Sequence, residues 1–407
     1  QWLEQRPEIQ VIIDSLDSPT TKVFAVKTPY NRANQTLLVH PTSSSVPFVY
    51  KHINGLVLNL NSIIKDDYFP GSRNTHLEPQ LEGAPNFRVS GFTDQVFGVA
   101  IPMISGIENT VNYIQDHYGK DSITWVNLRE EPIIFINGKP FSLRNMNDMV
   151  NNLIFTGIDS KRVLEIEQRF KQDILKEAEL NQGMIMVNNE PKLGQNVMHL
   201  VPVTPSSVVT LEEAYQRVNE HREGSLISLY RVPITDEQAP LATTIDQLRD
   251  IVEANYHDQF IFNCQIGRGR TTTGMVICCM VLAFKKGQWH NVKGEMMNPS
   301  SAMPEDRAKR LLEGYYSSVV ELVRMMRSGT KAKRKLDFII DHNSDMQNIR
   351  EVIYHYHATA DAPETSMKKR VELCDRASHF LHRYCMLLVL AEYFEEHLPD
   401  EKNPSFS

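Results

Sequence analysis

Tryptophan occurs three times in this 407-residue chain and cysteine five times. Five cysteines without tight, regular spacing do not make a disulfide framework, and the odd count leaves one thiol over. That pattern suits a reducing, cytoplasmic compartment. Long apolar runs are missing too: the longest, Met275 to Phe284, covers ten residues, about half of what a bilayer-spanning helix needs. The first thirty residues carry charges throughout and lack the apolar segment of a secretory signal. No basic excess exists, since 43 Lys and Arg stand against 50 Asp and Glu for a net charge of −7. Such a surface excludes a nucleic-acid-coating protein but leaves room for a concentrated basic pocket. With 41% hydrophobic and 23% charged residues, the composition excludes disordered, collagen-like and coiled-coil chains. No internal repeat shows, and with Gln instead of Met as its first residue the chain is expected to be a piece of something longer.

What is present alternates strand and helix signals. Residues 22–50, with His40-Pro-Thr-Ser-Ser-Ser-Val-Pro47, read as loops and short strands. Gly55–Ile64, Ile123–Leu128, Pro132–Ile136, Ser225–Arg231 and Gln259–Phe262 read as strands, and Asn137-Gly138 is a strong hairpin signal. Residues 71–88 read as loop. Val163, Ile166, Phe170 and Ile174 fall on one face of a helix from Ser160 to about Leu180. Thr210 and Glu213 form a capping-box pattern for another, closed by Gly224. A further helix is expected over Thr273–Phe284. From Pro304 onward the pattern is almost wholly helical, with breaks near Gly329, Ala358–Thr365 and Leu398-Pro399. The expectation is an α/β fold: a parallel-rich central sheet flanked by helices, a helical C-terminal part and a small N-terminal strand and loop extension.

One stretch carries chemistry: Phe260-Ile-Phe-Asn-Cys264-Gln265-Ile266-Gly267-Arg268-Gly269-Arg270-Thr271. A Cys at a strand end facing a helix N-terminus sits in a field of backbone N–H groups that favours thiolate. Gly267 and Gly269 let the loop curl so that successive N–H groups form an anion nest. Arg270 offers a planar fork for two phosphate oxygens, and Thr271 can hydrogen-bond the sulfur. None of the other four cysteines has an Arg six residues on. A nucleophile attacking a phosphate ester also needs an acid for the leaving oxygen. Asp236, on a Pro-flanked loop 28 residues before Cys264, is the candidate, with Glu237 its neighbour and competitor.

These residues resemble the cysteine-dependent phosphatase superfamily, and more narrowly the protein-tyrosine-phosphatase-like phytases and the paladin proteins. The similar stretches are Ile64-Lys-Asp-Asp-Tyr-Phe-Pro-Gly71, Gly83-Ala-Pro-Asn-Phe-Arg88, Trp125-Val-Asn-Leu-Arg-Glu-Glu-Pro132 with Ile136-Asn-Gly138, and Phe262 to Thr273. The resemblance runs from about residue 52 to near the C-terminus. It implies one paladin-type repeat as a phosphatase domain over 52–400. Residues 1–51 are then an N-terminal extension, in which Trp2-Leu-Glu-Gln-Arg-Pro-Glu8 is similar to the segment closing a preceding repeat. It implies Cys264 as nucleophile, Arg270 as phosphate clamp, Asp236 as general acid, and the residues Gln265 to Gly269 with Thr271 around the phosphate. Arg88 is similar to a substrate-contacting arginine, and Arg129 and Glu131 either line the pocket or hold it by an internal ion pair. Asn263 departs from the His of ordinary tyrosine phosphatases; it can organise the loop by hydrogen bonding but brings no charge.

The resemblance implies a metal-independent phosphomonoesterase with no cofactor, acting on inositol polyphosphates of the phytate kind. Arg268, a second cation inside the loop, suits a substrate with more than one phosphate; otherwise it faces solvent at the loop mouth. Phosphoinositides, phosphotyrosine proteins, and inositol-phosphate binding without catalysis are the alternatives. Other repeats of the same chain and an anionic membrane are candidate partners, the latter through Arg324, Arg327, Lys331, Lys333, Arg334 and Lys335; nucleic acid is not. His379, His382 and Cys385 have metal-like spacing but read as a packed helix face, and Cys278 and Cys279 as core.

Overall fold

The computed structural model describes residues 1–17, 55–59, 61–119, 122–222, 226–292, 306–399 and 403–407. The expected loops over 22–50 and the helix stop at Gly224 lie outside them. In chain order come α1 (Pro7–Asp17), β1 (Ser62–Asp66), β2 (Arg88–Val89), β3 (Val96–Ala100), α2 (Ile104–Tyr118), β4 (Ser122–Arg129), β5 (Ile133–Ile136) and β6 (Lys139–Asn145). Then follow α3 (Ser160–Leu180), β7 (Met184–Lys192), β8 (Gln195–Pro202), β9 (Val208–Thr210), α4 (Leu211–Glu220), β10 (Leu226–Ile234), α5 (Ala242–Ala254), β11 (Gln259–Cys264) and α6 (Gly269–Lys285). The C-terminal part is helical: α7 (Arg307–Leu312), α8 (Ser317–Met325), α9 (Gly329–Asp341), α10 (Ile349–Asp361) and α11 (Met367–Glu396).

The central sheet has the order β10-β4-β11-β3-β2, with the first four parallel and only β2 antiparallel. Parallel strands covered on both faces read as continuous apolar runs, which is why Gln259–Cys264 is buried at every position. On one face α2 and α4 pack Ile107, Val111, Ile114 and Tyr215 against Phe97 and Trp125. On the other lie α5, α6 and the C-terminal helices. α6 is apolar all round because it is sandwiched: Met275 through Phe284 are all buried.

A second sheet, β8-β7-β1-β6-β5-β9, is antiparallel except where β1 meets β7. α3 covers it with Phe170 and Ile174. The sequence signals Asn137-Gly138 and Thr210/Glu213 are realised as the β5–β6 hairpin, with φ of 51° and 79° at the two turn residues, and as a complete capping box on α4. The strand expected over Gly55–Ile64 is instead confined to Ser62–Asp66, and the stretch before it bends. There the Asp173 carboxylate takes the N–H groups of Val57 and Leu58, at 2.7 and 3.0 Å, which would otherwise pair in a ladder.

The first residues join the C-terminal helices. Trp2 and Leu3 donate backbone bonds to Ser405 and Phe406, both at 3.0 Å, and Trp2 stacks on Phe406. Ile9, Ile12 and Ile13 enter the same core as α6 and α11. Position 51/52 therefore does not separate residues 1–17 from the remainder. The expected basic cluster is also divided: Lys333 pairs with Asp337 at 2.6 Å and Lys335 with Glu395 and the Trp289 ring, leaving Arg324, Arg327, Lys331 and Arg334 exposed. No helix among the described residues is long and apolar enough to cross a membrane.

Candidate active site

β11 runs through the middle of the central sheet, between β4 and β3, and ends on Cys264. The chain then turns sharply into α6. Gly267 has φ +74°, and a Cβ there would lie 2.6 Å from the Ala100 nitrogen, so only glycine fits. Three carbonyls of the turn are held from behind: Gln265 by the Ile101 N–H (3.0 Å), Ile266 by Asn86 Nδ2 (2.7 Å) and Gly267 by Arg88 Nη1 (2.8 Å). A trans peptide points its C=O and N–H in opposite directions. Anchoring these carbonyls therefore turns the N–H groups of Ile266, Gly267 and Arg268 the other way, toward the cavity beside Cys264. No side chain caps α6, so its first-turn N–H groups and its positive end add to an anion site. Asn263 accepts from Trp125 Nε1 at 2.9 Å, fixing the strand end from the next strand.

Arg270, buried to 2% exposure, donates Nη1 to both oxygens of Glu131 (2.9 and 3.1 Å) and to the Ile234 carbonyl (3.2 Å). The fork that a phosphate can use is thus Nε with Nη2. Glu131 is fully buried at the junction where the chain leaves β4 for the second sheet. Its other partner is Arg129 Nε at 3.0 Å, and Arg129 in turn grips Asp67 at 2.6 Å. Burial would raise the Glu131 carboxyl, but Arg270 and Arg129 outweigh it and pull it down to about 2. Burial would likewise lower Arg270, but Asp236, Glu131 and Cys264 hold it above its ordinary value. The clamp is charged at any pH the protein meets.

Asp236 follows β10, with Oδ1 3.3 Å from Arg270 Nε and Oδ2 accepting from Asn152 Nδ2 at 2.7 Å. The loop carrying Asp236 is pinned on both sides. Thr235 Oγ1 donates to Glu130 at 2.9 Å. The Gln238 carbonyl takes Arg383 Nε and Nη2 at 3.0 and 2.8 Å. Glu237 pairs with Arg376, 3.7 Å away, and also lines the cavity beside Cys264. Asp236, Cys264, Gln265, Ile266, Arg268, Gly269 and Arg270 share one cavity of about 680 Å³. The cavity's far wall comes from the C-terminal helices and includes Asp345, Glu351, Tyr354, Tyr356, Phe380 and Arg383.

Arg88 is 2% exposed, lies under the loop, and donates to Gly267 and to Thr272 Oγ1 (3.0 Å). Burial lowers it to about 10, against the pull of Cys264 and Asp345. It braces the nest and adds positive charge beneath the thiol. Arg129 and Glu131 are wholly buried and hold the pocket through ion pairs; they do not line it. Thr271 Oγ1 is buried without a hydrogen-bond partner, so its expected bond to the Cys264 sulfur is not made. Arg268 is exposed at the cavity mouth.

Sequence reasoning missed Arg383, Asn152, Asp67 and Arg144. Arg383 is 2% exposed, and burial lowers it to about 10, partly offset by Asp236. Its only signal was an Arg inside an otherwise apolar helix stretch, read as a packed face. Among the described residues no group of three or more His, Cys, Asp or Glu is placed to hold a metal, and α11 carries His379, His382 and Cys385 as helix positions.

Strand, braced loop, helix and the loop of Asp236 together make a cysteine-phosphatase-like fold. A family model for the PTP-like phytases, described as "Inositol hexakisphosphate", matches residues 126–282. Paladin of Gallus gallus is 25% identical over 324 residues, covering 77% of this chain and 35% of its own length. Paladin of Homo sapiens is 25% identical over 326 residues, covering 77% and 34%. The chain therefore spans about a third of the length of the paladins it matches. The tandemly repeated protein-tyrosine-phosphatase-like phytase from Mitsuokella multacida superposes with a TM-score of 0.50 at 16% identity, over 87% of this chain and 48% of that one, a likeness of fold. The similarity to paladins and PTP-like phytases read from the motifs is borne out.

Proposed function

We propose that this chain is a metal-independent phosphatase that hydrolyses phosphomonoesters of inositol polyphosphates through a phosphocysteine intermediate. The observation that carries this reading is the convergence of Cys264, the Glu131-anchored Arg270 fork and Asp236 on one cavity. Pure anion binding needs neither a nucleophile nor an acid. The Cys264 sulfur attacks phosphorus in line. The loop N–H groups and Arg270 hold the three equatorial oxygens, and Asp236 gives its proton to the leaving alkoxide oxygen as the P–O bond breaks. Asp236 then takes a proton from water, whose oxygen attacks phosphorus and expels Cys264 as thiolate. The description of the matching family model supports inositol phosphate as substrate, and Arg268 and Arg383 are the cations placed to meet further phosphates.

A second reading is favoured by the far wall, where Tyr354, Tyr356 and Phe380 stand with the carboxylates Asp345 and Glu351. Aromatic side chains suit an aryl ester, and carboxylates oppose a heavily phosphorylated ring. Phosphate release from inositol phosphates of rising phosphate number, from phosphoinositide vesicles and from phosphotyrosine peptides, all with a chelator present, separates these readings. The proposal expects soluble inositol phosphates to be used best. Exclusive use of the peptides contradicts it. Preference for the vesicles moves the substrate to a membrane, where Arg324, Arg327, Lys331 and Arg334 supply the charge.

A further inference from the structure

Asp236 has a side chain 42% exposed, so packing alone does not fix the direction of its carboxylate. Three polar contacts do. Oδ1 faces Arg270 Nε at 3.3 Å, Oδ2 accepts from Asn152 Nδ2 at 2.7 Å, and Oδ1 also accepts from the neighbouring Glu237 N–H at 3.2 Å, which moves with Asp236. The first contact is given up during reaction, because a phosphate needs that edge of Arg270. The second survives.

Asn152 is itself anchored. Its Oδ1 accepts from Arg144 Nη1. The orientation of the amide follows from its partners, since guanidinium can only donate and an ionised carboxylate can only accept. Arg144 is 2% exposed, and its Nη2 lies 3.8 Å from Asp67. Asp67 pairs with Arg129, Arg129 with Glu131, and Glu131 with Arg270. The side chains close a ring that leaves the clamp, passes through β4 and the second sheet, and returns to the acid 84 residues from Asn152 in sequence.

We infer that Asn152 is a positioning residue for the general acid, an assignment that rests on the phosphatase reading. With the shorter bond from Asn152 on Oδ2, the acid carries its own proton on Oδ1, which faces the site and keeps the longer contact from the Glu237 N–H once phosphate holds Arg270. When phosphate takes Arg270, Asn152 keeps Asp236 aimed at the leaving oxygen. The proton passes from Oδ1 to that oxygen as the P–O bond breaks, and a carboxylate remains to accept a proton from water.

The test combines Asn152→Ala, Asn152→Asp (which keeps the acceptor for Arg144 and loses the donor), Asp236→Asn and the Asn152→Ala/Asp236→Asn double variant. Each is assayed on an inositol phosphate, whose alkoxide leaves poorly, and on p-nitrophenyl phosphate. Both Asn152 variants should lose about tenfold in kcat on the inositol phosphate and less than about twofold on the aryl phosphate, with KM unchanged, because only the poor leaving group needs the aimed proton. In the Asp236→Asn background Asn152→Ala should cost nothing more, since its effect passes through that acid. Equal losses on both substrates, or additive losses in the double variant, overturn the assignment while leaving the phosphatase reading standing. If Asn152→Ala fails to fold, Asn152→Asp decides by the same criteria. A wild-type protein with no turnover of any phosphomonoester overturns the phosphatase reading and this one with it.

Discussion

Arg268 and Arg270 sit two residues apart on one loop, yet their surroundings divide their work. Arg270 is buried against Glu131 and presents a fixed fork, whereas Arg268 is exposed at the cavity mouth. Arg270→Ala should therefore damage turnover of every phosphomonoester. Arg268→Ala should lower the specificity constant for an inositol polyphosphate about tenfold more than that for a small aryl phosphate, with a loss that shrinks in high salt. Equal losses on both substrates would make Arg268 a loop-shaping residue. Glu131 offers a second test. Folded, it stays ionised down to about pH 2, whereas unfolded it takes up its proton near 4.5. Its stabilisation is therefore complete above 4.5 and lost as pH falls from there toward about 2. Glu131→Gln removes the buried carboxylate that Arg129 and Arg270 share, leaving Arg129 to Asp67 and Arg270 to Asp236, and should cost about 3–5 kcal/mol at neutral pH. In urea titrations that deficit should shrink across the acid window; a pH-independent deficit would contradict the ion-pair account. Cys264 and Arg270 were legible because they stand close together in the chain, and Asp236 because it lies on a loop after a strand. Arg88's place under the loop was not legible, because a motif gives residue type and not direction. Its guanidinium points under the loop because Gly98 leaves space there; a Cβ on Gly98 would meet Arg88 Cζ at 2.9 Å. Asn152 was invisible because its tie to Asp236 spans 84 residues of sequence.

Between β11 and α6, the turn works by backbone direction. Replacing Gly267 forces a left-handed φ on a residue with a Cβ and drives that Cβ into Val99 and Ala100. Gly267→Ala should cost about 1–3 kcal/mol in thermal or urea unfolding and weaken tungstate binding, because the Gly267 and Arg268 N–H groups lose their aim. Unchanged tungstate affinity would show that the nest is not the anion site. Elements with local chemical signals were readable: the Asn137-Gly138 hairpin, the Thr210 capping box, the buried strand Gln259–Cys264. The β7–β8 hairpin was not, because no residue of β8 is buried and its order Gln-Asn-Val-Met-His-Leu-Val-Pro does not alternate apolar with polar. β1 was placed too early because its register is set by β6, which only the folded chain brings alongside.

At the level of the whole molecule, the site is assembled from three sources. The end of β11 and the start of α6 supply Cys264 and Arg270, the end of β4 with the second sheet supplies the array that anchors Arg270 and Asp236, and the C-terminal helices supply Arg383 and the far wall. The α/β class and the helical C-terminal part followed from alternating and then purely helical periodicity. The second sheet and the docking of residues 1–17 on α11 did not, because both depend on long-range pairing that leaves no local trace. The central claim is covalent catalysis by Cys264. Asp236→Asn with p-nitrophenyl phosphate should let the phosphoenzyme form, since that leaving group needs little proton help, and should slow its hydrolysis, which needs a base. Acid-quenched during turnover in the presence of a chelator and examined by peptide mass spectrometry, the protein should carry one phosphoryl group on the peptide containing Cys264, and none when Cys264→Ser is added. Phosphate release with Cys264 unmodified, or release that persists in Cys264→Ser, would contradict the account.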